Sequence, residues 1–187
     1  MRKVVIKPFW NVEKEQKWIN RMAQNGYALI DFFWLRYVFE QTDPGEYAYQ
    51  IDLLENKRRS PETEQYLDFL QESDIEVVAT YMSWIYLRKK SSAGPFYLYS
   101  DKESKLRYLR RLRNFWFAMV FMEIWVAMIN MLPVGIYVIQ EGSLSNGAIN
   151  LGAAVLCSSI GVTMFVSCLY PVLTQIKKIK NEMQLFE

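Results

Sequence analysis

Four carboxylates stand where they could do chemistry in this 187-residue chain. Glu13, Glu46 and Asp52 lie among aromatic residues. Two such groups converging in a cleft could share general-acid and general-base work. Glu13 is accounted for more simply by its place near a helix start, and Asp52 points away from the Tyr49, Ile51, Leu53 register of a regular strand. The fourth, Glu123, sits inside a long apolar run. A carboxylate near the middle of a bilayer costs roughly 3 kcal/mol, which favours a protonated, paired or groove-facing side chain. One and two helical turns along its face lie Ala127 and Asn130. At matching depth in a second apolar run, Ser159, Thr163 and Ser167 recur every four residues. Glu123 and Asn130 are therefore expected to face that Ser/Thr stripe.

Other chemistry is scarce. The chain has no histidine, which removes the commonest general base and metal ligand together. Its two cysteines, Cys157 and Cys168, both fall in the second apolar run and read as small packing residues rather than a disulfide or metal pair. No catalytic residue, metal or cofactor is assigned, and the chain is read as a non-enzyme. Tyr37, Phe39, Tyr47, Tyr49, Trp84 and Tyr86 could line a sheet that stacks bases, but that use needs a basic surface and these strands carry little positive charge. They read as a core or an aromatic groove, and no nucleic-acid partner is expected.

The elements that must hold these residues divide sharply by charge. Between Asn114 and Ile176 the only charged residues are Glu123 and Glu141. Phe115–Ile139 and Ala148–Leu173 each exceed the roughly 20 residues needed to cross an apolar layer about 30 Å thick. The opening MRKVVIKPFWNVEKEQ has too short an apolar run for the core of a signal peptide, so the first 113 residues are expected to stay where they are made. Lys102, Lys105, Arg107, Arg110, Arg111 and Arg113 precede the first span, and Lys177, Lys178 and Lys180 follow the second. The connecting loop QEGSLSNG has no basic residue, so both termini are expected in the cytoplasm. Arg107, Arg110, Arg111, Arg113, Lys177, Lys178 and Lys180 read as contacts to lipid headgroups.

Ser100 and Glu103 have the spacing of a capping box, which predicts a helix from Asp101 with Leu106, Tyr108, Leu109 and Leu112 on one side. In the second span, Ala153, Cys157 and Gly161 form a stripe of small residues that would admit a further helix, predicting a homodimer or a membrane protein partner.

The remaining elements are read from pattern. Val4–Trp10 reads as a strand, Asn11 as an N-cap, and Gly26 as the end of the helix it opens. A β-rich stretch covers Ala28–Glu40, Thr42–Gly45 is a turn, and residues 47–53 alternate as a strand. Ser60-Pro61 opens a second helix carrying Tyr66, Leu67, Phe69 and Leu70. One long strand is expected over Ile75–Arg88, and Pro95–Tyr99 as an added edge strand. The resulting order, β-α-β-β-α-β, predicts an α+β fold: a ferredoxin-like split βαβ cytosolic domain followed by a two-helix transmembrane hairpin. The expected divisions are a cytosolic domain 1–100, a basic juxtamembrane helix 101–113, a first membrane helix 114–139, an extracytoplasmic loop 140–147, a second membrane helix 148–173 and a cytosolic tail 174–187.

Four motifs in order carry a resemblance. WNVEKEQKWINRMAQNGYAL is similar to a Trp-x-x-Glu-x-x-x-x-Trp-Ile/Leu-Asn-x-Met-Ala-x-x-Gly pattern. Pro44–Asp52 resembles a central strand, Trp84–Lys89 a final strand, and Gly94–Asp101 with Ser104-Lys105 a closing motif. Together they resemble the bacterial domain of unknown function 2812 family over roughly residues 7–110. The resemblance implies a bacterial origin, two membrane helices after the soluble domain, and a gene often placed beside PadR-type repressors. It brings no activity and no catalytic residue. The expected function is a membrane-anchored, non-catalytic sensor, regulatory or accessory module that binds a partner or small ligand at the cytosolic face, with envelope-stress regulation as the setting the resemblance suggests. The alternative is a small membrane enzyme or transporter accessory subunit using Glu123 or the cytosolic carboxylates.

Overall fold

The computed structural model describes residues 2–56, 59–99 and 101–184. They form two compact units, residues 1–108 and 109–187.

The first unit is built twice from one plan. β1 (Arg2–Ile6), α1 (Val12–Gln24), β2 (Tyr27–Phe33) and β3 (Arg36–Gln41) form the first half. β4 (Tyr47–Leu53), α2 (Pro61–Glu72), β5 (Glu76–Tyr81) and β6 (Trp84–Lys90) form the second. Each half is a βαββ unit whose third strand lies between the other two, giving the orders β1-β3-β2 and β4-β6-β5. Every pairing is antiparallel. The halves agree in detail. β2 is irregular between Leu29 and Asp31, and β5 between Val77 and Ala79. The hairpins turn at Trp34-Leu35 and Met82-Ser83, and both Trp34 (φ 57°) and Met82 (φ 54°) are left-handed.

This corrects the expected element order. The stretches 28–40 and 75–88 are each a hairpin, not one strand, so the order is β-α-β-β-β-α-β-β. The split βαβ arrangement is not what the pairings form. Residues 95–99 add no strand; Phe96 is buried, and its carbonyl accepts from Gln50 Nε2 at 2.9 Å.

Local chemistry explains the helix ends. Asn11 Oδ1 accepts from Lys14 N at 3.0 Å, with Glu13 and Glu15 in the positive first turn of α1. Gly26 follows at φ 80°, where a Cβ would meet the Thr42 carbonyl oxygen at 3.0 Å. Ser60 Oγ accepts from Thr63 N at 3.2 Å, and Pro61 takes the first helical position of α2.

One core joins the two halves: Ile19 and Ala23 of α1, Phe32, Tyr37 and Phe39 of the first sheet, and Tyr49, Ile51 and Tyr86 of the second. A second core lies on the other face of the second sheet, where Ile85 and Leu87 meet Leu70, Ile75 and Phe96. Burial on both faces explains why β4 departs from simple alternation. α1 also covers the edge of β4. Asn20 Nδ2 donates to Tyr49 O at 2.8 Å, Asn20 Oδ1 accepts from Tyr49 N at 2.9 Å, and Gln16 Oε1 accepts from Ile51 N at 3.0 Å. Two side-chain amides thus satisfy backbone groups that a neighbouring strand would otherwise take.

A 3-10 turn, Ser91–Ala93, leads on towards α3 (Lys102–Glu141). Ser100 lies outside the described residues. The observed cap is Asp101, whose Oδ1 accepts from Ser104 N at 2.7 Å.

In the second unit, α4 (Ala148–Met164) continues through a π-helical turn, Phe165–Leu169, into α5 (Tyr170–Gln184). The π turn ends two residues before Pro171, whose ring excludes the regular bond to the carbonyl four residues back. Pro133 stands inside α3. Two helical stretches, Lys102–Gln140 and Ala148–Gln184, are long and apolar enough to cross a membrane. Val120 of α3 packs with Met164 and Leu169, flanked by Trp116, Met119 and Ile160.

Candidate functional site

The helical pattern of α1 places Val12, Glu15, Ile19 and Met22 on one face. That face meets the sheets, so a carboxylate enters the aromatic core. Glu15 is only 8 % exposed. Its Oε1 accepts from Tyr37 Oη at 2.7 Å and from Tyr86 Oη at 2.6 Å. The two tyrosines come from different halves, on β3 and β6. Burial raises the Glu15 pKa above its ordinary value, against the lowering effect of the hydrogen bonds from Tyr86 and Tyr37. Burial and the adjacent carboxylate push both tyrosines up as well. Rings surround the group: Phe32 lies 4.7 Å from Tyr37 and 4.4 Å from Tyr86, and Trp18 lies 4.9 Å from Tyr37. Tyr49, buried nearby with its hydroxyl on Leu29 O at 3.3 Å, is pushed up to about 12 by burial.

A second carboxylate is held in the same manner. Asp52 is 1 % exposed. Its Oδ1 accepts from Leu53 N at 2.7 Å and Tyr99 Oη at 2.5 Å, and its Oδ2 from Tyr66 Oη at 2.8 Å. Tyr99 stacks on Tyr108 in the first turns of α3, with ring centroids 5.0 Å apart.

The two acids do not converge. Asp52 pairs with Ile85 and Ile51 with Tyr86, and adjacent strand residues point to opposite faces. Asp52 therefore faces the α2 side, and Glu15 reaches the sheet from the other. Of the other expected carboxylates, Glu13 is exposed and Glu46 accepts from Thr42 Oγ1. Sequence reasoning missed Glu15, although its spacing to Val12 and Ile19 put it on the apolar face of α1.

An open cleft of about 870 Å³ lies on this unit. α2 and the loop after it supply Asp68 and Asp74; β6 supplies Lys89 and Lys90. None of these four is ion-paired within the described residues. Between them Arg88 Nε bonds Glu76 Oε2 at 2.7 Å, and its guanidinium lies 4.4 Å over the Tyr47 ring. The cleft therefore presents both charge signs beside apolar wall from Leu67, Ile75 and Val77.

These features fall within one stretch that matches a known family. The family described as a protein of unknown function (DUF2812) matches residues 11–121, from the α1 cap into the middle of α3. The chain belongs to that family. No curated protein and no solved structure matches it. Both tyrosine-held acids and the whole cleft of this DUF2812 protein lie inside the matched region.

The residues of the two apolar spans are arranged differently from expectation. A Cβ added at Gly161 would lie 3.4 Å from Glu123 Cβ, so Glu123 sits against the small-residue stripe rather than the Ser/Thr stripe. Gly161 is buried, and Ala153 and Cys157 are half-buried. Ser159, Thr163 and Ser167 are exposed. Ser159 Oγ donates to Val155 O and Thr163 Oγ1 to Ser159 O, each at 2.8 Å. Asn130 Nδ2 donates to Val126 O at 2.8 Å. The physical reason is plain. A hydroxyl can satisfy itself on the carbonyl one turn back, so it needs no neighbouring helix, whereas glycine is where a neighbour fits. Beside Gly161 runs an apolar groove of about 400 Å³ between α3 and α4, lined by Val120, Ala127, Met131 and Phe165.

The basic residues stay outward. Arg107 and Arg110 are exposed, Arg107 bonding Glu103 at 3.5 Å one turn back. Arg111 is half-buried, while Leu106, Leu109 and Leu112 are buried. Arg113 donates to Asn114 Oδ1 at 2.8 and 3.1 Å. Lys177, Lys178 and Lys180 are exposed on α5.

Proposed function

We propose that this DUF2812 protein is a membrane-anchored, non-catalytic binding module. Its cytosolic unit takes a small ligand or peptide segment carrying both charge signs. The observation that carries this reading is the cleft of about 870 Å³ with Asp68 and Asp74 from one side and Lys89 and Lys90 from the other, none of them ion-paired among the described residues. Two further points support it. The buried acids Glu15 and Asp52 lie on opposite faces of a sheet and are held by tyrosine hydroxyls, which is unsuited to shared acid–base work. The basic residues flanking both apolar spans, with none in the loop between, favour cytoplasmic termini and contacts with lipid headgroups. A sensor, regulatory or accessory role follows from binding without chemistry. Envelope-stress regulation is the setting this proposal favours.

The test is photo-crosslinking in native membranes from a probe residue at Ser92, in the cleft wall. The wild-type chain gives a discrete adduct, and the pair Lys89→Glu with Lys90→Glu loses it. An adduct unchanged by the charge reversal, or none at all, refutes the cleft as the binding site.

A further inference from the structure

The two halves of the first unit repeat several contacts at matching positions. Lys7 N donates to Leu35 O at 3.0 Å, and Leu54 N to Ser83 O at 2.8 Å. Gly26 (φ 80°) after α1 matches Asp74 (φ 59°) after α2. The turn bond from Glu46 N to Asp43 O matches that from Gly94 N to Ser91 O. At the same spacing Ile19, Asn20 and Ala23 of α1 match Leu67, Asp68 and Gln71 of α2. What lies against these residues differs. In the first half the chain after β3 folds back along α1: Thr42 N donates to Gly26 O at 3.0 Å, Gly45 N to Ala23 O at 2.9 Å and Tyr49 N to Asn20 Oδ1 at 2.9 Å, and Asn20 Nδ2 donates back to Tyr49 O. In the second half the turn Ser91–Gly94 makes no such bond to α2 among the described residues. The chain beyond it is held elsewhere, with Phe96 buried and Tyr99 Oη donating to Asp52. Leu67, Asp68, Gln71 and Asp74 are left lining the cleft of about 870 Å³. The cleft is therefore the position that residues 43–49 fill in the first half.

We infer that the cleft takes an extended peptide segment, laid along α2 as residues 43–49 lie along α1. The inference rests on the cleft as the binding site and narrows its ligand to one class. One backbone N–H of the segment meets Gln71 O, as Gly45 N meets Ala23 O. Another, four residues later, meets the Asp68 carboxylate, as Tyr49 N meets Asn20 Oδ1. Main-chain bonds of this kind give affinity for an extended chain, and side chains select among sequences. Acidic side chains of the segment pair with Lys89 and Lys90 across the cleft. Asp68 differs from Asn20 in one respect: a carboxylate accepts but has no N–H to give back. A basic side chain on the segment is held by that same carboxylate.

The probe is the peptide DPGEYAYQI, the sequence of residues 43–51, carrying fluorescein at its C-terminus. Fluorescence anisotropy follows its binding to the full chain in maltoside micelles. A second peptide, N-methylated at the residues matching Gly45 and Tyr49, loses both donors with its charge unchanged. It should bind about tenfold more weakly, the scale of one lost hydrogen bond. Asp68→Asn restores the amide of the first half and should bind the unmethylated peptide about tenfold more tightly than wild type. Asp68 is exposed, so the variant should fold, and near-UV circular dichroism checks this. Equal affinity for the two peptides, no gain in Asp68→Asn, or no binding of DPGEYAYQI by Asp68→Asn each overturns the inference. The cleft itself stands or falls separately, on the Ser92 adduct. An adduct lost on reversing Lys89 and Lys90, alongside equal affinities for the two peptides, keeps the cleft as a binding site and removes the extended peptide as its ligand.

Discussion

Replacing Glu15 with Gln should change how stability depends on pH, and the sign can be worked out. The Gln carbonyl oxygen can keep both hydrogen bonds from Tyr37 and Tyr86, so packing is conserved. Only the ionisation is lost. In the wild type, burial raises the folded-state pKa above the ordinary 4.5. Below that value both folded and unfolded chains hold the proton, and Glu15 contributes its full share. As pH rises, the unfolded chain releases its proton first. Wild-type stability then falls by at most about 1.4 kcal/mol per pH unit until the folded pKa is passed. Glu15→Gln lacks this loss. Its stability relative to wild type should therefore grow as pH rises through the ordinary carboxylate range, and level off once the raised folded-state pKa is passed. Groups common to both chains cancel in the difference. Urea unfolding of the full chain, followed by the near-UV signal of the buried tyrosines, measures it. A difference independent of pH, or a wild type that gains on the variant as pH rises, would show that Glu15 is ionised and well solvated, and the reasoning would fail.

Three other changes are expected to be informative. Asp52→Ala removes the carboxylate that accepts from the Tyr66 and Tyr99 hydroxyls and should cost about 3 kcal/mol by the same unfolding assay; a loss under about 0.5 kcal/mol would mean water replaces the carboxylate freely. Gly26→Ala forces a Cβ to within 3.0 Å of the Thr42 carbonyl at φ 80° and should cost about 2 kcal/mol, seen as a lower melting temperature. With Cys157 and Cys168 changed to Ala, the pair Glu123→Cys and Gly161→Cys should form a disulfide readily, because their Cβ positions are 3.4 Å apart. Under the same oxidation Glu123→Cys with Thr163→Cys should not, and the opposite pattern would restore the Ser/Thr stripe as the partner of Glu123.

Much of this protein was legible in its residues because the signals are local. Caps at Asn11 and Ser60, the glycine end at Gly26 and two long apolar runs depend only on near neighbours in the chain, and the family pattern needs no more than order. The duplication was hidden for an equally local reason. Trp34 and Met82 turn the hairpins without glycine, asparagine or proline, so each hairpin reads as one long strand. The site was decided by contacts distant in sequence. Glu13 and Glu15 are two residues apart on α1, hence about 200° apart around it, and only the packed sheets determine which one enters the core. Tyr37 and Tyr86 reach the same oxygen from separate halves of the fold. The membrane stripes carry the same lesson. Composition marked Ser159, Thr163, Gly161 and Glu123 as notable, but helix packing chose the glycine as the neighbour of Glu123, because hydroxyls can satisfy themselves within one helix and an absent side chain is filled only by another helix.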